Sequence, residues 1–524
     1  MRRIVLCGVV GLFLSLAPAR AADAPGKVVK EVWDAAYFEG HKVGFVHTTV
    51  REVEKDGRKL YATSMELDLT IRRYKAVARL GMETGTIETA DGKVVGVFMR
   101  QFDYTGGARK TRVSLTGTVT ETGKQLHTRT ADGRIDKNVP WDPEVIGLYR
   151  QERLFQDRKA KPGDTFTYRS YEPTLNAVLT ISAAIKDKEE VDVLRPAKGG
   201  PKGKVVRAKE QLLRVETAPE ELRVGDKSVR LPGMVAWLDR DLMTVRSQME
   251  LPPLGNLTLY RTTREVATAA GDPAGPVVDL GRASLIRLSA GIPNPHATRS
   301  AVYRVTVKGD RDVATALARD ARQQVRNVDG DTFELHVKAV RAPRPKEDPG
   351  EPPADCLKSC YYLDSDDPRV RELARDAVGS ETDPWRKAQR IERFVHNRMR
   401  GDNGVDFCKA SDVARSLRGD CRQHAMLTAA MCRAAGVPSR LAIGLVYVND
   451  REKGPVMGFH MWTEVWVKGQ WLDLDATLGQ GSIGAAHIKV SADSWHDAQS
   501  LTPLLPLQRV LGKMSIEVVS VNKE

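Results

Sequence analysis

Residues 28–270 carry a strand-like alternation of apolar and polar positions. Met65, Leu67, Leu69 and Ile71 alternate with Glu66, Asp68, Thr70 and Arg72, the period of a strand with one buried face. Asp56-Gly57, Asp91-Gly92 and Asp132-Gly133 supply turn pairs, and Thr122-Gly123 a weaker one. The pattern predicts a β-rich N-terminal region folded as an antiparallel, curved sheet. Gly and Pro break the period at 195–204, which reads as a loop, and 268–276 reads as a linker. Strand character returns over 300–340, giving a β-rich connecting region at 281–355 that ends in a proline-rich loop.

The period then changes. Asp367-Pro368 and Asp383-Pro384 each pair an N-cap residue with a first-turn proline. Val370, Leu373 and Ala377 form one apolar helix face, and Trp385, Ala388, Ile391, Phe394 and Val395 form another. Asp420 through Gln423 fits a capping box, followed by an Ala-rich helix that stops at Gly436. Segment 458–479 reads as two strands joined at Lys468-Gly469. Helices and strands thus follow one another within 356–524.

Length and charge add context. A chain of 524 residues exceeds one hydrophobic core. Arg2, Arg3, the apolar run 4–18 and the small residues near 21 have the order of an export signal, 1–21, leading to a periplasmic or secreted protein with no transmembrane span after its removal. The formal charge of +13 makes anionic envelope polymers a candidate partner through a screened, unspecific field. Export and the lack of a binding motif argue against nucleic acid. Cys356, Cys360, Cys408, Cys421 and Cys432 would remain after removal of the leader, an odd number that leaves one thiol unpaired in an oxidising compartment. Cys356 and Cys360 read as a tight disulfide or two buried thiols, and Cys432 as core.

Cys421 falls in the first turn of its helix, where unpaired N–H groups and the helix dipole favour a thiolate. Asp420 next to it works against that, so a cation is required nearby. His460 can supply it. If Val467 faces Gln470, the hairpin register puts His460 and Asp475 on one face as diagonal neighbours, with Asp475 able to fix the imidazole. Asp473 shares that face and competes for the role. Cys421 could equally be a buried small residue, His460 a strand histidine and Asp475 a turn residue. His424 lies near Cys421 on the helix, but a Cys-x₂-His pair alone is a poor metal signal; His396 reads as a packing or surface residue, Trp462 as a packed aromatic, and His41, His47 and His127 match no ligand spacing.

The blocks "GDCRQHAMLTAAMCRAAGVPSRLAIGLVY", "FHMWTEVWV" and "WLDLDATLG" resemble the three motif blocks of the transglutaminase-like superfamily, a papain-like cysteine fold. The resemblance, which covers roughly 366–490, implies a multidomain chain with a C-terminal α+β catalytic domain at 356–524 and its core at 366–490. In it Cys421 is the nucleophile, His460 the general base and acid, and Asp475 the orienting carboxylate. It implies acyl transfer through a thioester on a protein or peptide substrate, as a peptidase or amidase or as a cross-linking transglutaminase; a non-catalytic binding or scaffold protein of the same fold is the alternative. Nothing in the sequence requires a cofactor or metal, and no EF-hand spacing is present.

Overall fold

The computed structural model describes residues 26–522 except 56, 74–75, 106–107, 132, 134, 197–204, 225–226, 252–254, 271–278, 345–349, 405–406 and 497–501. The leader 1–21, turn residues Asp56 and Asp132, most of the 195–204 loop, most of the 268–276 linker and part of the proline-rich loop therefore lie outside the described residues.

The N-terminal part is one 14-stranded antiparallel sheet. Its first eight strands, Lys27–Phe38 through Asp136–Pro140, follow one another as a meander. The strand Lys27–Phe38 also pairs with Gly255–Thr262, and the sheet continues from there to an edge at Thr165–Glu172. Turns such as Asp91-Gly92 work as expected: Gly92 has φ +84° and its N–H donates to the Thr89 carbonyl oxygen. The sheet curls. Val145 bridges to Arg169 in the far edge strand, and Trp141 packs on Tyr171 with ring centroids 5.6 Å apart. One helix, Leu148–Asp157, interrupts the strands where alternation gave only β structure. Its first turn is anchored by the buried Glu88 carboxylate, which accepts from the backbone N–H groups of Tyr149 and Arg150.

The C-terminal part packs helices Pro368–Val378, Pro384–Arg398, Ala410–Ser416 and Cys421–Ala434 against a five-stranded sheet. In that sheet Gly454–Val467 pairs with Ser439–Asp450 on one side and Gln470–Leu474 on the other, and His487–Asp493 extends it. A second sheet joins Ser300–Val307, Gln323–Asp329 and Thr332–Lys338 to Met514–Asn522. The protein is thus multidomain, a large β-rich sheet followed by an α+β unit. The two parts share apolar contact: Met99, Val113, Leu115 and Ile135 of the first join the core built by the helices of the second.

The helix readings carry through. Asp367 and Asp383 cap their helices with side-chain oxygens, and Val370, Leu373, Trp385, Ala388, Ile391 and Val395 are buried. Cys432 is fully buried. All five described cysteines are free thiols, so Cys356 and Cys360 form no disulfide; Cys356 is buried and Cys360 half-buried.

Candidate active site

The helix carrying Cys421 starts at that residue. Asp420 accepts from the Arg422 N–H, and Gln423 reaches back to accept from the Asp420 N–H at 3.0 Å, completing the capping box. Gly419 makes this closure possible. With φ +152°, a Cβ there would stand 2.3 Å from Gln423 Cβ. Cys421 thus occupies a fixed first turn, where its own backbone N–H has no intrahelical acceptor. The Asp420 charge is met by Arg422, whose Nε and Nη2 each lie 3.0 Å from a different carboxylate oxygen. The sequence reading left that charge to His460 alone; the arginine two residues away is the nearer cation.

The strand Gly454–Val467 lies across this helix and is pinned by Thr463, whose Oγ1 donates to the Ala425 carbonyl oxygen at 2.9 Å. The hairpin register is the expected one, Val467 opposite Gln470 and Thr463 opposite Leu474. The strand ends at Leu474, and Asp475 turns in just beyond it. His460 Nε2–H donates to Asp475 Oδ2 at 2.8 Å, and Cys421 lines the same cavity as His460. Burial alone would push His460 down. The negative charge of Asp475 and its hydrogen bond, with the interaction of neighbouring Cys421, outweigh it and hold His460 well above the ordinary histidine value. Asp475 is 1% exposed, and burial would raise it. The charge of His460 and hydrogen bonds from His460 and His487 reverse this and keep it well below the carboxylate range.

Asp475 is held on all sides. Its Oδ1 accepts from the backbone N–H groups of Thr477 (2.9 Å) and Leu478 (3.3 Å). The helix Pro384–Arg398 grips the following loop: His396 Nδ1–H donates to the Ala476 carbonyl oxygen, and the buried Glu392 accepts from the Gly481 N–H. Asp473, the competing carboxylate, accepts from Trp462 Nε1–H at 2.6 Å and lies 3.9 Å from Arg322, so it is used elsewhere. Trp462 is buried, stacked beside His460 at 6.2 Å.

Cys421, His460, His396, His424 and Asp420 line one cavity of about 370 Å³ together with Val446, Val448 and Phe459. Val446 and Val448 also line an adjoining, more apolar cavity of about 450 Å³ with Ile292, Pro295 and Leu478. His424 Nδ1–H donates to the Asp420 carbonyl oxygen at 2.7 Å, and burial pushes its pKa down, so it faces the cavity neutral. Burial pushes the other thiols up, Cys408 to about 11 and Cys432 to about 12, which disfavours their thiolates.

Residues 371–476 match the model of the transglutaminase-like superfamily. This segment is a transglutaminase-like domain. A curated relative, an uncharacterized protein of Haemophilus influenzae, is 33% identical over 94 residues, which is 17% of this chain and 25% of that protein. The chain is also similar to a solved structure described as a candidate cysteine protease from Cytophaga hutchinsonii, with 16% identity and TM-score 0.28 over 43% of this chain and 86% of that one. It is similar as well to the periplasmic domain of TgpA from Pseudomonas aeruginosa, solved with ethylmercury, at 17% identity and TM-score 0.20 over 35% of this chain and 91% of that one.

The transglutaminase-like domain brings Cys421, His460 and Asp475 together. His396 and His424 line the same cavity, while the three N-terminal histidines of the sequence reading go elsewhere. His47 stacks on Trp33 and His127 pairs with Asn138, both in the N-terminal sheet, where His41 also starts a strand. The residue that sequence reasoning missed is His487, fully buried, whose Nε2–H donates to Asp475 Oδ2 at 3.1 Å. His460, Asp475 and His487 place three ligand-type atoms within 4.8 Å of one another, a set able to hold a metal ion. In the arrangement seen, the same atoms are committed to the two N–H···O bonds. No helix among the described residues is long and apolar enough to cross a membrane.

Proposed function

We propose that this protein is an exported cysteine acyl-transfer enzyme that hydrolyses peptide or amide bonds through a thioester on Cys421. One observation carries the reading. A thiol at a helix start shares one cavity with a buried histidine, which a buried carboxylate holds from behind.

His460 takes the thiol proton, giving a thiolate–imidazolium pair that Asp475 stabilises. Cys421 Sγ attacks the substrate carbonyl carbon. The developing oxyanion is held by helix-start N–H groups, with that of Cys421 first among them. The C–N bond then breaks, and the leaving amine takes the proton from His460. Water, activated by the neutral His460, attacks the thioester, releases the acid and returns the proton to the thiol. A primary amine in place of water would give cross-linking instead. The same machinery serves both, so the acceptor decides the outcome.

The test is a product assay on the full chain with a glutamine-containing peptide, with and without a primary amine. Release of ammonia or a cut peptide, lost in Cys421→Ala, supports hydrolysis. Amine incorporation would move the reading to a transglutaminase. Turnover that survives Cys421→Ala would overturn both.

A further inference from the structure

We propose that His487 is a positioning residue of this centre. Its Nε2–H fixes Asp475 Oδ2, so that the carboxylate presents one geometry to His460. The inference rests on the acyl-transfer reading and deepens it.

Asp475 Oδ2 has two partners, both Nε2 atoms: His460 at 2.8 Å and His487 at 3.1 Å. A carboxylate oxygen only accepts, so both rings must carry their proton on Nε2. For His487 this sets the tautomer. Its Nδ1 is buried and meets no hydrogen-bond partner among the described residues, so a bare nitrogen there is far cheaper than a buried, unmet N–H. Burial, the first cause, pushes the His487 pKa down to about 4, outweighing the pull of Asp475. His487 therefore donates as a neutral ring. It orients the carboxylate without competing with His460 for its charge.

The ring is itself built in. Its strand residue pairs with Val446, and Trp462 packs edge-on at 5.4 Å. Arg322, 4% exposed, donates through Nη2 to the carbonyl oxygens of both Gly484 and His487 at 2.7 Å. Tyr303 donates to the Ala485 carbonyl oxygen at 3.0 Å. The sheet formed by 300–338 and the C-terminal strand thereby holds the arch that aims His487. Asp475 is thus pinned at Oδ1 by backbone and at Oδ2 by His487, leaving its second Oδ2 lone pair for His460. This arrangement of outer partners keeps a catalytic histidine in one orientation.

The test uses the full chain, with His487→Phe keeping volume without a donor and His487→Gln placing an amide N–H near the Nε2 position. Histidine-selective ¹⁵N NMR of the wild type is expected to show His487 as the Nε2–H tautomer at neutral pH, with a protected, downfield His460 Hε2. In His487→Phe the kcat falls by about ten-fold or more with KM within about two-fold, and the His460 Hε2 signal moves upfield. His487→Gln recovers most of both. A His487 protonated on Nδ1, or a His487→Phe enzyme with unchanged kcat and His460 signal, overturns the positioning role. Equal losses in the Phe and Gln variants do so too. The wild-type tautomer needs no variant to fold. Absence of Cys421-dependent turnover in the wild type overturns the acyl-transfer reading instead, and the NMR signature separates the two failures.

Discussion

Arg422 clamps the Asp420 carboxylate with two N–H groups at 3.0 Å, and the two residues flank Cys421 in the chain. The negative charge that would oppose a thiolate is thereby neutralised within the first turn. Arg422→Gln frees that charge and is expected to slow alkylation of Cys421 by iodoacetamide at pH 7 by about three-fold, the size of a partly exposed pair. Asp420→Asn on that background restores the rate. An unchanged or faster rate in the single variant contradicts this.

Asp475→Asn removes the charge that holds His460 above the ordinary histidine value. The imidazolium is then lost at lower pH. The alkaline limb of the kcat/KM profile, set by deprotonation of His460, moves down, and kcat drops by about 10³-fold or more. A limb that stays in place would show that Asp475 does not set the charge of His460.

Acid stability has a separate signature. Folding lowers His487 from 6.5 to about 4, so its stabilisation is complete above 6.5 and is lost as pH falls toward about 4. Asp475 acts lower: its depressed value gives stability present above 3.8 that is lost only as pH falls further. His460, being raised, contributes below 6.5 and is lost as pH rises through its folded value. His487→Gln should therefore flatten the thermal midpoint against pH between 6.5 and 4. An identical slope in the variant contradicts the assignment.

Beneath the His460 strand, Lys489, 2% exposed on its side chain, pairs with both Glu464 and Asp320, and Arg440 Nε donates to Glu464 at 2.6 Å. Lys489→Met leaves Glu464 with one cation in a buried setting. Chemical denaturation should show a loss of about 3 kcal/mol, with part recovered in Lys489→Met/Glu464→Gln. A loss under about 1 kcal/mol would show the network to be dispensable.

Local rules made much of this site legible. Asp420 and Gln423 announced the helix start, and the tight turn at Lys468 and Gly469, both at positive φ, fixed the register that sends Asp475 toward His460. In the large sheet, Asp91-Gly92 and Thr122-Gly123 fall between consecutive strands, as their turn chemistry predicts. What was not legible is non-local. His487 comes from a strand that pairs with Ser439–Asp450 rather than with the hairpin, and its aim depends on Arg322 and Tyr303 from a sheet more than a hundred residues upstream. A signal existed in "HIKV", where His487 and Lys489 interrupt an apolar run and are both buried, but alternation alone does not say what they face. The pairing of Lys27–Phe38 with Gly255–Thr262 is hidden for the same reason.

The central claim is that Cys421 carries the acyl group while His460 and Asp475 activate it. Rapid quenching with an activated acyl ester, followed by peptide mass spectrometry of Cys421 and the four other described thiols, tests it most directly. The account predicts one acyl adduct, on Cys421, formed at neutral pH, absent in Cys421→Ala and strongly slowed in His460→Ala. Acylation spread across the other thiols, or an adduct on Cys421 that forms as fast without His460, would contradict it.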